Sequence, residues 1–313
     1  VPDSFLKKLG IQKNIMHLIT LEQQQELLFA LAEEQISVEI AAGGSGANSM
    51  IGISQLGGTS AFSGKIGRDE HGKLYRKKLE ALGVSDCLAE GEGATGSSLI
   101  LVSEDGARTM NTFLGMSQEL MNPDIDPDII QSSKYLYLTG YLWDTESQKK
   151  AVLNALDEAK KREIKVALSL SDPFCVTRHK EDFINLLKGY ASMVFCNQEE
   201  AFTLLDTEIT QKAVETLSDW TETAALTIGA YGALISHQGE TCYIDPLPVR
   251  VEDTTGAGDA FAAGFLYGMT HDMSPLDSGR IGATLAAAVI GQTGPRYLGN
   301  ARKLIQKKLG IIL

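Results

Sequence analysis

No run of about 18 consecutive apolar residues occurs in this 313-residue chain, so no segment reads as a membrane-spanning helix. Nothing at the N-terminus pairs a charged start with an apolar stretch, so no secretory leader is signalled and the cytoplasm is the expected compartment. Cysteine is scarce: Cys87, Cys175, Cys196 and Cys242 are widely spaced without a CxxC, and the five histidines are scattered. That pattern argues against a structural zinc site or a disulfide framework and predicts buried, reduced thiols. Positive charge is also short, with 28 Lys+Arg against 40 Asp+Glu and a net charge of -12. Such a surface disfavours nucleic acid as a partner, although a small basic pocket for phosphates is compatible with it.

The common nucleotide-binding fingerprints are missing too. A Walker loop needs Gly-Lys-Ser/Thr after an earlier glycine, but Gly64-Lys65 is followed by Ile66, with Thr59 in the first glycine's place. A dinucleotide loop needs glycine or alanine at its third conserved position. Gly256-Ala257-Gly258 has Phe261 there, and Gly44-Ser45-Gly46 has Ser49.

What the chain does have is an ordinary globular composition, 43% apolar and 22% charged, with enough length for one α/β domain and a smaller appendage. Strand patterns at 59–66, 135–139, 165–170, 193–196 and 224–228 alternate with helical spacing, as in 146–162 and 180–187. This alternation predicts an α/β fold with a doubly wound, mostly parallel sheet and helices on both faces. Ile36 to Ala42, Ser97 to Val102 and Arg108 to Leu114 break the pattern, the last two being joined by a hairpin-like turn at Ser103-Glu104-Asp105-Gly106. They predict a small antiparallel sheet outside the core, hence a β lid formed by parts of about 1–42 and 93–116 of a single unit over 1–313.

Six segments are candidates for chemistry. Asp253-Thr254-Thr255-Gly256-Ala257-Gly258-Asp259 precedes an apolar helical run. Its glycines let backbone crowd a ligand, and the unpaired N–H groups of a helix start favour an anion. Asp259 beside such a site suggests a base that takes the proton from a hydroxyl about to be phosphorylated, kept ionised by its helix-start position. The competing description is a tight turn with an ordinary first-turn acid. Gly43-Gly44-Ser45-Gly46-Ala47-Asn48 also joins a strand to a helix, either as a sugar-hydroxyl site or as a cap by Ser45 or Asn48. Phe62 to Gly72 reads as a strand, a tight turn and a helix start, where Lys65 and Arg68 favour surface charge but can also touch phosphate. Asn197 and Glu200 face one side of a helix start, where they favour a cap but can also hold a phosphate oxygen and a water-bridged magnesium. Thr227, Gly229 and Gly232 end a strand where a nucleotide can lie over exposed backbone. The small-residue helix Gly282 to Ala288 fits either helix packing or an adenine.

The order Gly-Gly-x-x-x-Asn, Gly-x-Ile-Gly-x-Asp-x-x-Gly, Asn-x-x-Glu, Thr-x-Gly-x-x-Gly, Asp-Thr-x-Gly-Ala-Gly-Asp resembles the ribokinase-like (PfkB) carbohydrate and nucleoside kinases across nearly the whole chain. The resemblance implies transfer of the γ-phosphate of ATP to a primary alcohol with Mg2+, by a monomer or homodimer. By matching motifs, Asp259 is the general base and the backbone of Gly256, Ala257 and Gly258 the anion hole. Asn197 and Glu200 would organise magnesium and phosphates, Thr227, Gly229 and Gly232 would border ATP, and Gly44 and Asn48 would hold the acceptor. Asp253 and Thr255 occupy positions suited to a monovalent cation such as K+. Gly106-Ala107-Arg108-Thr109-Met110, Leu170-Ser171-Asp172-Pro173-Phe174 and Gly140-Tyr141-Leu142 resemble the bacterial adenosine-kinase-like branch. They add Arg108, Tyr141 and Leu142 as acceptor contacts and favour the 5'-hydroxyl of adenosine, giving AMP, over a free sugar such as ribose, fructose or a sugar acid. A non-catalytic nucleotide sensor is the remoter alternative. The family's opening strand, with a glycine-rich segment and an acidic residue that grips the acceptor, has no counterpart in Val1-Pro2-Asp3-Ser4-Phe5: either residues ahead of Val1 supply it or the acceptor site is impaired.

Overall fold

A computed structural model describes residues 1–13, 15–105 and 107–313. Its strands are β1 (Met16–Leu18), β2 (Ala61–Gly67), β3 (Ser85–Gly91), β4 (Ser97–Val102), β5 (Arg108–Phe113), β6 (Tyr135–Thr139), β7 (Lys165–Ser169), β8 (Met193–Asn197), β9 (Thr223–Thr227), β10 (Ala233–His237) and β11 (Glu240–Ile244). Six of them form the central sheet in the order β11-β10-β9-β8-β7-β6. β6 to β9 run parallel, and β10 pairs antiparallel with both β9 and β11. The apolar runs of β8 and β9 are buried on both faces, as a covered parallel sheet requires.

Alternation along these strands assigns the two layers. Val194, Cys196, Ala224 and Leu226 point to one core with the helices Glu146–Lys161, Lys180–Gly189, Gln198–Leu205 and Thr210–Trp220. Met193, Phe195 and Ala225 point to the other, with Ser45–Gln55, Ala257–Thr270, Pro275–Ile290 and Ala301–Leu309. The expected α/β core with helices on both faces is therefore the fold.

The outlying strands differ from expectation. β5 is the middle of a separate three-stranded sheet, antiparallel to β4 as expected but parallel to β1. The segment Ile36 to Ala42, expected as a strand of this sheet, forms no ladder: no described strand lies alongside it, and Val38 and Ile40 stand 45% and 60% exposed. Gly106, at the turn between β4 and β5, lies outside the described residues. β2 and β3 make a parallel pair of their own. Lys65, expected at the surface, is 8% exposed and ion-paired to Asp124 at 2.8 Å. Cys175 and Cys196 are buried as expected, while Cys87 and Cys242 are half-buried; all four are free thiols. Among the described residues no helix is long and apolar enough to cross a membrane.

Glycine sets the spacing of the layer that carries the Asp-Thr-Thr-Gly-Ala-Gly-Asp segment. A Cβ on Gly264 would lie 2.6 Å from Cα of Gly282, and one on Gly52 would lie 2.6 Å from Cβ of Ala263. Helix packing therefore accounts for the small residues of 282–288. Gly264→Ala wedges two backbones apart, an overpacking cost of about 1–3 kcal/mol. A thermal melt should show Tm lowered by several degrees; an unchanged Tm would mean that the helices are not in this contact.

Candidate active site

The carboxyl ends of the parallel strands open into one cavity of about 1910 Å3, lined there by Thr139, Ser169, Asn197 and Thr227. Ligands in open α/β sheets bind at this end. The cavity also runs between β2 and β6, so its total volume exceeds that of a small-molecule site.

Two helix starts meet at the cavity floor. Gly256, at φ +76°, begins the helix Ala257–Thr270, and a Cβ there would meet the carbonyl oxygen of Pro295 at 2.1 Å. Only glycine fits. A Cβ on Gly258 would meet nothing within 4 Å, so open space lies above the helix start. The Ala257 N–H closes a turn onto the Thr254 carbonyl oxygen at 3.2 Å and is less free than expected. Gly44, at φ +98°, begins the helix Ser45–Gln55. From that first turn the Ser45 hydroxyl donates to Asp259 Oδ1 at 2.5 Å and Asn48 Nδ2 donates to Oδ2 at 3.0 Å. Burial raises the Asp259 pKa above the ordinary carboxylate value, and these two hydrogen bonds oppose the rise. A helix start alone predicts the opposite direction; desolvation outweighs it.

Asn197 and Glu200 form a capping box. Asn197 Oδ1 accepts from the Glu200 N–H at 2.8 Å, while Glu200 accepts from the Asn197 N–H at 3.0 Å and from Asn197 Nδ2 at 2.7 Å. With both oxygens engaged and 5% exposure, Glu200 is not set up as a direct metal ligand. Among the described residues, no group of three His, Cys, Asp or Glu side chains is placed to hold a metal. Magnesium bound mainly by substrate phosphates and water fits such a site. Burial lifts the Glu200 pKa to about 7, against the lowering bond from the Asn197 N–H, and Asp172 and Glu199 raise it further.

The other expected residues divide. Tyr141 and Leu142 line the cavity on the turn Gly140–Trp143, where the Tyr141 hydroxyl donates to the Ser171 carbonyl oxygen at 3.2 Å. Thr227 lines it; Gly229 and Gly232 do not. Gly232, at φ +85°, serves the β9–β10 turn, since a Cβ there would lie 2.0 Å from the Ile244 carbonyl oxygen. Arg108 reaches from β5 to the Asp253 carboxylate and the Thr255 hydroxyl. Asp253, 4% exposed, also accepts from the N–H groups of Thr255 at 2.6 Å and Gly294 at 2.7 Å. The expected cation pair is thus held by a guanidinium and two backbone donors.

Sequence reasoning gave Ser45 only a capping role and passed over Arg296 and Ser171. Ser45 lay inside a quoted motif, so its hydroxyl was legible as a donor. Ser171, at φ +75°, is a strained non-glycine beside the cavity, a signal that backbone geometry alone reveals.

This site, on this fold, defines a phosphotransferase that acts on a sugar or nucleoside hydroxyl and uses ATP, typically with Mg2+. The model of the pfkB family carbohydrate kinases matches residues 13–301, and the chain belongs to that family. Its structure is similar to the adenosine kinase from Sinorhizobium meliloti, with 36% identity, a TM-score of 0.89 and coverage of 98% of this chain and 94% of that one. It is equally similar to a probable sugar kinase protein from Rhizobium etli CFN 42, at 35% identity, a TM-score of 0.90 and coverage of 98% and 93%. An uncharacterized sugar kinase of Archaeoglobus fulgidus is 29% identical over 251 residues, covering 79% of this chain and 97% of that protein.

The Glu200 geometry has a pH consequence. A free glutamate titrates near 4.3, so between there and about 7 the folded form holds a proton that the unfolded form has released. This contribution to stability falls as pH rises through that window and is level above it, by roughly 2–4 kcal/mol. Urea denaturation between pH 5 and 8 should give a difference between native protein and Glu200→Gln that changes across this window. Parallel stability curves would contradict the buried, proton-holding carboxyl.

Proposed function

We propose that the protein is an ATP-dependent nucleoside kinase that phosphorylates the 5'-hydroxyl of adenosine, giving AMP. One observation carries the reading: a buried carboxylate, Asp259, already holds a hydroxyl donor at 2.5 Å beside a helix start with open space above it. In the reaction the acceptor hydroxyl takes the place of the Ser45 hydroxyl on Asp259. Its oxygen forms a bond to the γ-phosphorus, the bond to the β–γ bridging oxygen breaks, ADP leaves, and the proton passes to Asp259. The backbone of Gly256, Ala257 and Gly258 faces the charge that develops on the transferred group, with Gly258 the least encumbered of the three. Asn197 and Glu200 would order the water and phosphate around a Mg2+ bound with ATP, which would supply charge neutralisation of the phosphates; Thr227 borders the nucleotide, with Gly229 and Gly232 shaping the turn beyond it.

The acceptor reading draws on the cavity walls. Tyr141 and Leu142 offer apolar surface, Gly44 and Asn48 offer close backbone and an amide, and the sheet of β1, β4 and β5 acts as a lid over the unit, with Arg108 as its contact to the core. A purine between such walls gains about 25 cal/mol per Å2 of apolar area buried, which a free sugar cannot match. Similarity to the Sinorhizobium adenosine kinase supports the same choice. The sugar-kinase relatives support the second reading, a free sugar as acceptor. No monovalent cation is required where Arg108 already meets Asp253, so K+ dependence is expected to be weak. ADP release measured over a panel of nucleosides and sugars should give adenosine a kcat/KM far above ribose, fructose and sugar acids. A sugar as the better acceptor would overturn the nucleoside reading, and no ADP release with any acceptor would favour a nucleotide sensor.

A further inference from the structure

The segment Gly294-Pro295-Arg296 bridges the two helix starts of the site floor. Gly294 N–H donates to Asp253 Oδ2 at 2.7 Å, and the Pro295 carbonyl oxygen lies 2.1 Å from where a Cβ on Gly256 would sit. The Arg296 guanidinium then crosses to the other helix start. Its Nη1 donates to the Ala42 carbonyl oxygen and, at 3.4 Å, to Asn48 Oδ1. One residue further along, the Gly43 carbonyl oxygen accepts from the Tyr75 hydroxyl at 2.9 Å.

The contact to Asn48 decides which way its amide points. A carboxamide has an acceptor end and a donor end, and exchanging them costs almost nothing in shape. With the guanidinium on the oxygen, the NH2 must face Asp259, where it donates to Oδ2 at 3.0 Å. In the flipped state the NH2 would face a cation and the carbonyl oxygen a carboxylate, two unfavourable contacts in place of two favourable ones. Arg296 is half-buried, and its cation has no carboxylate partner among the described ion pairs. Its electrostatic role is therefore directed to the Ala42 carbonyl oxygen and the Asn48 amide.

We propose that Arg296 is a positioning residue for Asp259: through the Asn48 amide it fixes the second carboxylate oxygen, leaving the first for the acceptor hydroxyl. The inference rests on the kinase reading above. Arg296 itself touches neither Asp259 nor any reacting atom, so its effect on turnover must pass through Asn48.

A double-mutant cycle of Arg296→Met and Asn48→Ala, assayed by ADP release with the best acceptor, tests this. Loss of carboxylate orientation should lower kcat about 10- to 100-fold in Arg296→Met while the KM for ATP changes little. The double variant should be no slower than Asn48→Ala alone, because the path through the amide is already cut. Multiplied losses in the double variant, or an effect confined to KM, would overturn the proposal. If Arg296→Met does not fold, as judged by its melting transition, the same cycle is run with Arg296→Lys. The lysine keeps a cation near Asn48 Oδ1 but has a shorter reach, so its smaller loss should likewise vanish in the Asn48→Ala background. Absence of turnover in the native protein would refute the kinase reading itself, whereas turnover with independent losses would refute only the role of Arg296.

Discussion

Everything at the site depends on two helix N-termini meeting at one carboxylate. The first turn of Ser45–Gln55 supplies Ser45 and Asn48, and the first turn of Ala257–Thr270 supplies Asp259. The two helices can come this close because Gly52 packs where any side chain would strike Ala263. Residues 211 to 214 apart in sequence thus make contacts of 2.5–3.0 Å. Glycine at 44 and 256 allows each chain to turn into its helix with a positive φ that other residues adopt only under strain.

A polyanionic substrate must enter a protein of net charge -12, and the structure answers this with backbone more than with side chains. Lys65 is neutralised by Asp124, and Arg68 is spread over Glu90 and Glu92. Near the floor, Arg108 and Arg296 are the cations, and both are engaged with the protein. Under the proposed function, attraction for phosphate would fall to the helix start at Gly256–Gly258 and to the metal that accompanies ATP. Glu200, lifted to about 7, carries less negative charge in this region than an ordinary glutamate would.

The core was legible because its signals were local. Apolar runs bounded by glycine and polar residues gave β6 to β9 within a residue or two, and the two-face burial of β8 and β9 made the parallel sheet readable. Asn197 and Glu200 were legible as a cap for the same reason, since their partners lie three residues apart. Ile36 to Ala42 failed because a strand needs a neighbour, and an apolar pattern does not say whether one is present. Lys65 failed because its partner, Asp124, is 59 residues away. The direction of the Asp259 pKa failed similarly: a helix start is visible in sequence, but the desolvation that outweighs it comes from packing. Arg296 was invisible because nothing near it in sequence points to Asn48, 248 positions earlier.

Under the proposed function, Asp259 accepts the proton of the hydroxyl that becomes phosphorylated. The most direct test of this role is single-turnover transfer from ATP labelled in the γ-phosphate, with adenosine as acceptor, comparing native protein with Asp259→Asn while ATP affinity is measured in parallel. ATP affinity should be nearly unchanged and the transfer rate lowered about 100- to 10,000-fold, as the loss of a general base requires. Transfer at close to the native rate in Asp259→Asn would remove this carboxylate from the mechanism.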